Sequence, residues 1–301
     1  MDFLYKKQFP SGEFPLYMST YSDMKNYENA NSSLITIYIL HSLKFIHQTD
    51  IVKNISNKDI NFLIKSKEPT GFLKFATYTK YPDTESTSLL QVTQEENGEE
   101  INNDILDDVL TYETNQSMFY IWMKNSGENY IDCISNANVL YSFYSLNRSL
   151  PDLCEAFNKF IGENNFTNPE DSCYRYYRSP YSFTYTITRS YADGGAVCLQ
   201  KSMKNVLYYL LKTQKNDGGW GNELDTGLAT ASLLNLNYDG KELHKAIQKI
   251  LFDQNVDGSW NKNVFFTMFP PPKYGRYYFS DTLTTAINLE ALGKYLNKFE
   301  N

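Results

Sequence analysis

Gln214-Lys215-Asn216-Asp217-Gly218-Gly219-Trp220 returns forty residues later as Gln254-Asn255-Val256-Asp257-Gly258-Ser259-Trp260. Both copies carry Gln, then Asp-Gly-x-Trp at the same offset, the mark of an internal repeat. A degenerate copy stands at the N-terminus as Gln8-Phe9-Pro10-Ser11-Gly12-Glu13-Phe14, with Phe14 in the Trp place. Each full copy comes after a helix-period run. Leu199, Met203, Val206, Leu207, Leu210 and Leu211 space the first, and Leu243, Ala246, Ile247, Ile250 and Leu251 the second. The Asp-Gly pair then stops the helix, because Gly tolerates positive φ.

The residues beyond each copy are also shared. Leu224-Asp225-Thr226 and Ser280-Asp281-Thr282 each open a run of small residues, with Asp in an N-cap slot. The same slot is traceable upstream at Asn31-Ser32-Ser33, Asp83-Thr84, Asn136-Ala137-Asn138 and, less regularly, Tyr181 to Tyr191. Six starts, near 31, 83, 138, 185, 225 and 281, alternate with polar helices such as Lys58 to Lys67 and Pro151 to Gly162. This pattern predicts an all-α fold, a single (α/α)6 barrel occupying residues 1–301. Small-apolar helices form its inner wall and amphipathic ones its outer wall.

Composition narrows the function. With 28 basic and 35 acidic residues the net charge is −7, which argues against a nucleic-acid partner. No stretch is long and apolar enough for a transmembrane segment, the best being Leu34 to Ile46. Met1 to Lys7 lacks the apolar run of a signal peptide, which reads as a cytoplasmic start. Cys133, Cys154, Cys173 and Cys198 form no CxxC pair and are expected as reduced thiols, with no metal site. Three histidines leave little room for a His-based triad, and there is no phosphate-binding Gly loop or nucleophile elbow. The acidic run Asn102 to Asp108 reads as a solvated helix face.

The Gln-to-Trp copies resemble the QW motifs of the superfamily of squalene–hopene cyclases, class II terpene cyclases and protein prenyltransferase β-subunits. The resemblance covers nearly the whole chain. It implies an α/α barrel in which the Gln and Trp residues brace helices. It also implies a hydrophobic small-molecule substrate, and leaves room for a peripheral membrane or partner-protein contact. Zinc of the prenyltransferase kind is not implied, because Asp225 has no Cys at the matching offset.

Pro82-Asp83-Thr84-Glu85-Ser86-Thr87 resembles the DxDD-T acid motif of class II cyclases, whose central acid protonates the substrate. That carry-over makes Glu85 the donor and Asp83 its pKa partner. Two departures stand out: Glu adds a methylene at the donor, and Ser86 removes a like charge. The residues read alone leave an alternative, since Asp83 fits a plain helix cap and a helix N-terminus favours ionised carboxylates. A carbocation also needs an aromatic wall. Phe119, Trp122, Tyr181, Phe183 and Tyr185 are candidates, against ordinary core packing, with Asn138 on the third inner helix. Arg189 suits an anionic headgroup, or an ion pair with Asp225 or Asp281. The basic aromatic stretches Tyr174 to Arg178 and Pro270 to Tyr278 suggest a cavity rim or exposed loops. The leading expectation is a protonation-initiated cyclase of an isoprenoid or related polyene. It needs no cofactor, magnesium entering only with a diphosphate substrate. The rival is a non-catalytic α/α barrel that binds a lipid or a protein.

Overall fold

The computed structural model describes residues 1–177, 179–268 and 275–299. In chain order these form α1 (Asp2–Lys7), β1 (Pro15–Ser19), β2 (Glu28–Asn31), α2 (Ser33–Leu43), α3 (Asp50–Lys65), α4 (Thr84–Glu96), α5 (Asn103–Leu110) and α6 (Cys133–Ser145). Then come α7 (Pro151–Gly162), α8 (Pro180–Ala192), α9 (Gln200–Thr213), α10 (Glu223–Asn235), α11 (Lys241–Phe252), β3 (Asn263–Met268), β4 (Arg276–Ser280) and α12 (Asp281–Phe299). The chain clusters into two compact units, residues 1–65 with 213–301, and residues 66–212.

In the first unit α12 packs against both α2 and α10, while α3 covers α2 and α11 covers α10. An antiparallel sheet in the order β2-β1-β4-β3 belongs to this unit. The helical repeat gave no sign of it. Its strands are short, and Pro15, Tyr17, Tyr277 and Tyr278 suit an extended ribbon. In the second unit α6 packs against α4 and α8.

The inner helices are small and polar yet buried. Every residue of α2 is buried, as are Thr84 to Gln94 in α4 and Cys133 to Phe143 in α6. Burying hydroxyls is tolerable only when they are hydrogen-bonded. Here they bond back onto their own helix: Thr36 donates to Ser32 O, Ser142 to Asn138 O, Thr188 to Thr184 O and Ser232 to Leu228 O. Four starts differ from the sequence expectation. α10 begins at Glu223 with Asn222 as its cap, so Asp225 lies inside the first turn, and α12 already includes Asp281, with Ser280 Oγ accepting from Leu283 N. α6 begins at Cys133 with Asp132 as its cap, three residues before Asn136, and α8 begins at Pro180 with Ser179 as its cap.

One turn geometry leads into five of the inner helices. In the turn Gln214 to Trp220, Lys215 N donates to Gly219 O and Gly218 N to Lys215 O. Gly218 has φ +93°, and Trp220 N donates to Thr226 Oγ1 at 3.1 Å. Gln214 Nε2 closes the turn on Gly218 O and reaches Glu242 O of the next outer helix, at 2.9 and 2.8 Å. Gln8 and Gln254 repeat the bond to Gly12 O and Gly258 O. Phe14 N and Trp260 N donate to Thr36 Oγ1 and Thr285 Oγ1. The same backbone pattern recurs at Glu68 to Leu73 and Thr114 to Phe119, where Leu73 N meets Thr87 Oγ1 and Phe119 N meets Asn136 Oδ1.

The expectation of reduced thiols is overturned. Cys133 bridges Cys173, and Cys154 bridges Cys198, with Cα separations of 5.1 and 6.2 Å. Partners 40 and 44 residues apart give no local spacing signal. Packing of the α6 start on the segment before α8, and of α7 on a 3-10 turn at Val197–Leu199, brings them within bridging distance. Arg178 and Pro270 to Tyr274 of the two basic aromatic stretches lie outside the described residues. Arg276 to Tyr278 belong to β4.

The turns predict a graded glycine series. A Cβ on Gly218 would meet Lys245 O at 2.6 Å, whereas one on Gly258 would meet nothing closer than 4.0 Å. Both have positive φ, +93° and +84°. Urea unfolding is expected to show Gly258→Ala costing about 1–2 kcal/mol from backbone strain alone. Gly218→Ala should cost at least about 1 kcal/mol more. Equal costs would separate the turn from its packing on α11.

Candidate active site

Asp83 caps α4 from extended backbone, φ −128° and ψ 153°. Its Oδ1 accepts from Ser86 N at 2.7 Å and its Oδ2 from Phe75 N at 2.8 Å. Both oxygens are therefore spent on backbone amides. Glu85, two residues on, is 4% exposed. Its carboxyl turns onto α6, where Ser135 Oγ meets Oε2 at 2.7 Å and Asn138 Nδ2 donates to Oε1. Ser135 and Asn138 share a face because they are three residues apart on a helix. Tyr177, from the segment between Asn165 and Pro180, donates its hydroxyl to Oε1 at 2.9 Å.

Burial dominates the electrostatics. It pushes Glu85 up to about 8, with the charges of Asp83 and Asp132 adding to the rise, while the Ser135 and Tyr177 hydroxyls oppose it. Asp83 and Asp132 are also raised by burial, but backbone N–H groups hold each to about 6. At neutral pH the two caps are thus ionised and Glu85 is protonated. One environment divides three carboxyls into two charge states.

The proton's position is set by the amide beside it. Arg189, 1% exposed, donates from Nη2 to Asn138 Oδ1. Its guanidinium lies 4.5 Å from the Tyr141 ring centroid and 5.3 Å from that of Tyr185. With Oδ1 held by a cation, the Asn138 amide presents its N–H to Glu85 Oε1. Oε1 then has two donors, so the carboxyl proton belongs on Oε2. Ser135 Oγ faces that oxygen and accepts as readily as it donates.

The structure gathers Glu85, Asn138, Arg189 and Tyr185 in the second unit, and the other expected residues have the following neighbours. Phe119 stands in the Trp place of its turn and stacks on Phe143. Phe183 is surrounded by Phe157, Phe160, Phe166 and Tyr174, a core cluster beneath α7. Tyr181 stacks on Tyr209. Trp122 is half-buried beside Phe75, its Nε1 donating to Tyr176 Oη. In the first unit, Asp225 Oδ2 accepts from Asn222, and Asp281 is bridged by Lys7 at 3.1 Å. Asp281 also lines a cavity of about 330 Å³ with Lys7, Tyr17, Trp260 and Lys262. Within its own unit Arg189 is seated on Asn138.

Ser135, Tyr177 and Asp132 were missed. Ser135 carried a signal, being one helical turn before Asn138. Tyr177 lay inside a stretch read as rim or exposed loop, yet it is buried.

No family model matches the chain, and no curated protein is significantly similar to it in sequence. Several solved structures are similar in fold. Type II terpene cyclase MstE from Scytonema is 14% identical over 99% of this chain and 96% of that one, with a TM-score of 0.72. A protein from Actinoplanes is 13% identical over 97% and 96%, with a TM-score of 0.75. The ent-copalyl diphosphate synthase from Streptomyces platensis is 15% identical over 87% of this chain but 50% of its own, with a TM-score of 0.63. Twelve helices among the described residues and one small sheet give this chain the fold of the type II terpene cyclases, as its repeat foretells.

Proposed function

We propose that this chain is a terpene cyclase-like enzyme that starts cyclisation of an isoprenoid or related polyene by protonation, with Glu85 as the acid. The observation that carries this reading is a buried carboxyl ringed by donors, whose burial pushes its pKa up to about 8. Protonating an alkene or epoxide needs a neutral acid at neutral pH and a stable conjugate base. Glu85 Oε2 gives up its proton to the substrate carbon or oxygen, and the O–H electron pair stays on the carboxylate. Ser135, Asn138 and Tyr177 then donate to the new anion. The positive charge passes along the polyene and is discharged by loss of a proton, so the product is an isomer of the substrate. Asp83 acts as the cap that fixes the start of α4 and as a fixed negative charge disfavouring ionisation of Glu85.

The substrate class takes its support from the fold. MstE has been crystallised with geranylgeranyl dihydroxybenzoate as substrate and with merosterolic acid A as product. A prenylated aromatic acid is therefore the first probe, then geranylgeranyl diphosphate and squalene.

Incubation with these probes is expected to yield a cyclised product of unchanged mass. Glu85→Gln should lower turnover by about 10²–10⁴-fold. The wild-type rate should fall as pH rises through about 8, where the acid loses its proton. Unimpaired turnover by Glu85→Gln would remove the acid assignment. Probes bound equally by both proteins and never converted would favour the non-catalytic barrel.

The protonation state has a readout without substrate. The folded pKa of Glu85 lies above its ordinary 4.5, so the stability it contributes is present at low pH and lost as pH rises to about 8. Thermal unfolding from pH 5 to 8 is expected to show wild type losing stability relative to Glu85→Gln. The relative slope should approach about 1.4 kcal/mol per pH unit. Parallel profiles would mean that Glu85 is ionised throughout.

A further inference from the structure

The segment that brings Tyr177 to Glu85 is fastened to the start of α6 at three points. The Cys133–Cys173 bridge is the covalent one. Beside it, Cys133 N donates to Cys173 O at 2.8 Å, and Tyr176 N donates to Asp132 Oδ2 at 2.8 Å. The next residue, Tyr177, is 2% exposed and sets its hydroxyl on Glu85. α6 meanwhile supplies Ser135 and Asn138, two and five residues beyond the bridged cysteine. One disulfide therefore joins the two pieces of backbone that furnish all three donors to Glu85. The other bridge, Cys154–Cys198, links α7 to the 3-10 turn and receives the Tyr144 hydroxyl at Cys198 Sγ, at 3.2 Å. It carries none of those donors.

We propose that Cys133–Cys173 is a redox-sensitive positioning clamp: oxidised, it holds the Tyr177 segment over Glu85; reduced, it releases that segment and lets water reach the carboxyl. The inference rests on reading Glu85 as an acid held neutral by burial. Cys133 is fully buried while Cys173 is partly exposed, so an incoming thiolate attacks Cys173 Sγ and Cys133 leaves as the thiolate. A dithiol reductant balances the step. Its first sulfur bonds to Cys173, its second displaces Cys173, and it departs as a cyclic disulfide. Its two thiol protons end on Cys133 and Cys173. Uncovering Glu85 restores hydration of its anion and removes the desolvation that raises its pKa.

The test reads the proton of Glu85, so its result does not depend on finding a substrate. Stability is measured from pH 5 to 9 for wild type, Cys133→Ser/Cys173→Ser and Cys154→Ser/Cys198→Ser, each against the same protein carrying Glu85→Gln. The pH at which the Glu85-dependent slope levels off reports its folded pKa. Opening the clamp is expected to lower that pH by at least about one unit, a tenfold change in the proton affinity of Glu85. Opening the other bridge should lower overall stability and leave the pH in place. Tyr177→Phe should move it upward, because only a donor to the anion is lost and the cover stays. Where the clamp variant does not fold, wild type treated with dithiothreitol gives the same reading, with alkylation confirming that Cys133 and Cys173 have opened. An unchanged levelling pH with the clamp open overturns the proposal. So does finding four free thiols in protein purified without reductant. Loss of turnover with an unchanged levelling pH would also overturn it, and would leave the cyclase reading standing.

Discussion

The cost of ionising a carboxyl away from water governs the whole site. Glu85 is buried, and removal from water outweighs the hydroxyl donors aimed at it. In the proposed reaction the same donors would receive the anion that proton transfer leaves behind, and an anion stabilised by fixed groups needs no solvent rearrangement when it forms. For the proposed acid, a site that is too wet would ionise before any substrate arrived. A site without donors leaves its conjugate base stranded. Glu85 sits between these failures because its cover and its donors come from the same two segments, α6 and the residues before α8.

The scaffold meets a related demand through its turns. Inner helices of small and hydroxylated residues can be buried on all sides, but they have no apolar stripe to hold them in register. The turns supply that register. Each sends one backbone N–H to a Thr or Asn in the first turns of its helix: Thr36, Thr87, Asn136 and Thr226, each four residues beyond the cap, and Thr285 in α12. Thr87, read as part of the acid motif, is in fact the acceptor that anchors α4 to its turn. Asn136 does the same for α6, which is why Asp132 and not Asn136 caps that helix.

This division sets how far the sequence can be read. The fold was legible because the turns with Gln, Gly and Trp form local, contiguous motifs. The turns at residues 67–73 and 113–119 were not, since their geometry resides in a positive φ at Gly71 and Ser117 and in backbone bonds. Lys67 and Glu113 stand where other copies have Gln. The site was half legible. Glu85, Asp83, Asn138 and Arg189 carried local or compositional signals. Ser135 and Tyr177 lie 50 and 92 residues from Glu85 in sequence, and only the packing of α4 on α6, with the clamped segment above, unites them. The cysteine pairs were illegible for the same reason.

The Ser at position 86 shows how a local gap is filled from a distance. Within the motif, Ser86 removes the like charge that would keep its neighbour protonated, which alone would argue for an ionised Glu85. Asp132 restores that charge from another helix. It is buried, ionised at neutral pH through its backbone donors, and one of the two acids whose fields disfavour a charge on Glu85. It costs the fold little, because the same oxygens cap α6 and hold the Tyr177 segment. The helix N-terminus, expected to favour an ionised Glu85, is satisfied first by Asp83, which accepts the Ser86 N–H. Two caps thus absorb the positive ends of two helices and turn their own charges toward the acid between them. The longer Glu side chain reaches past its own cap to the donors on α6.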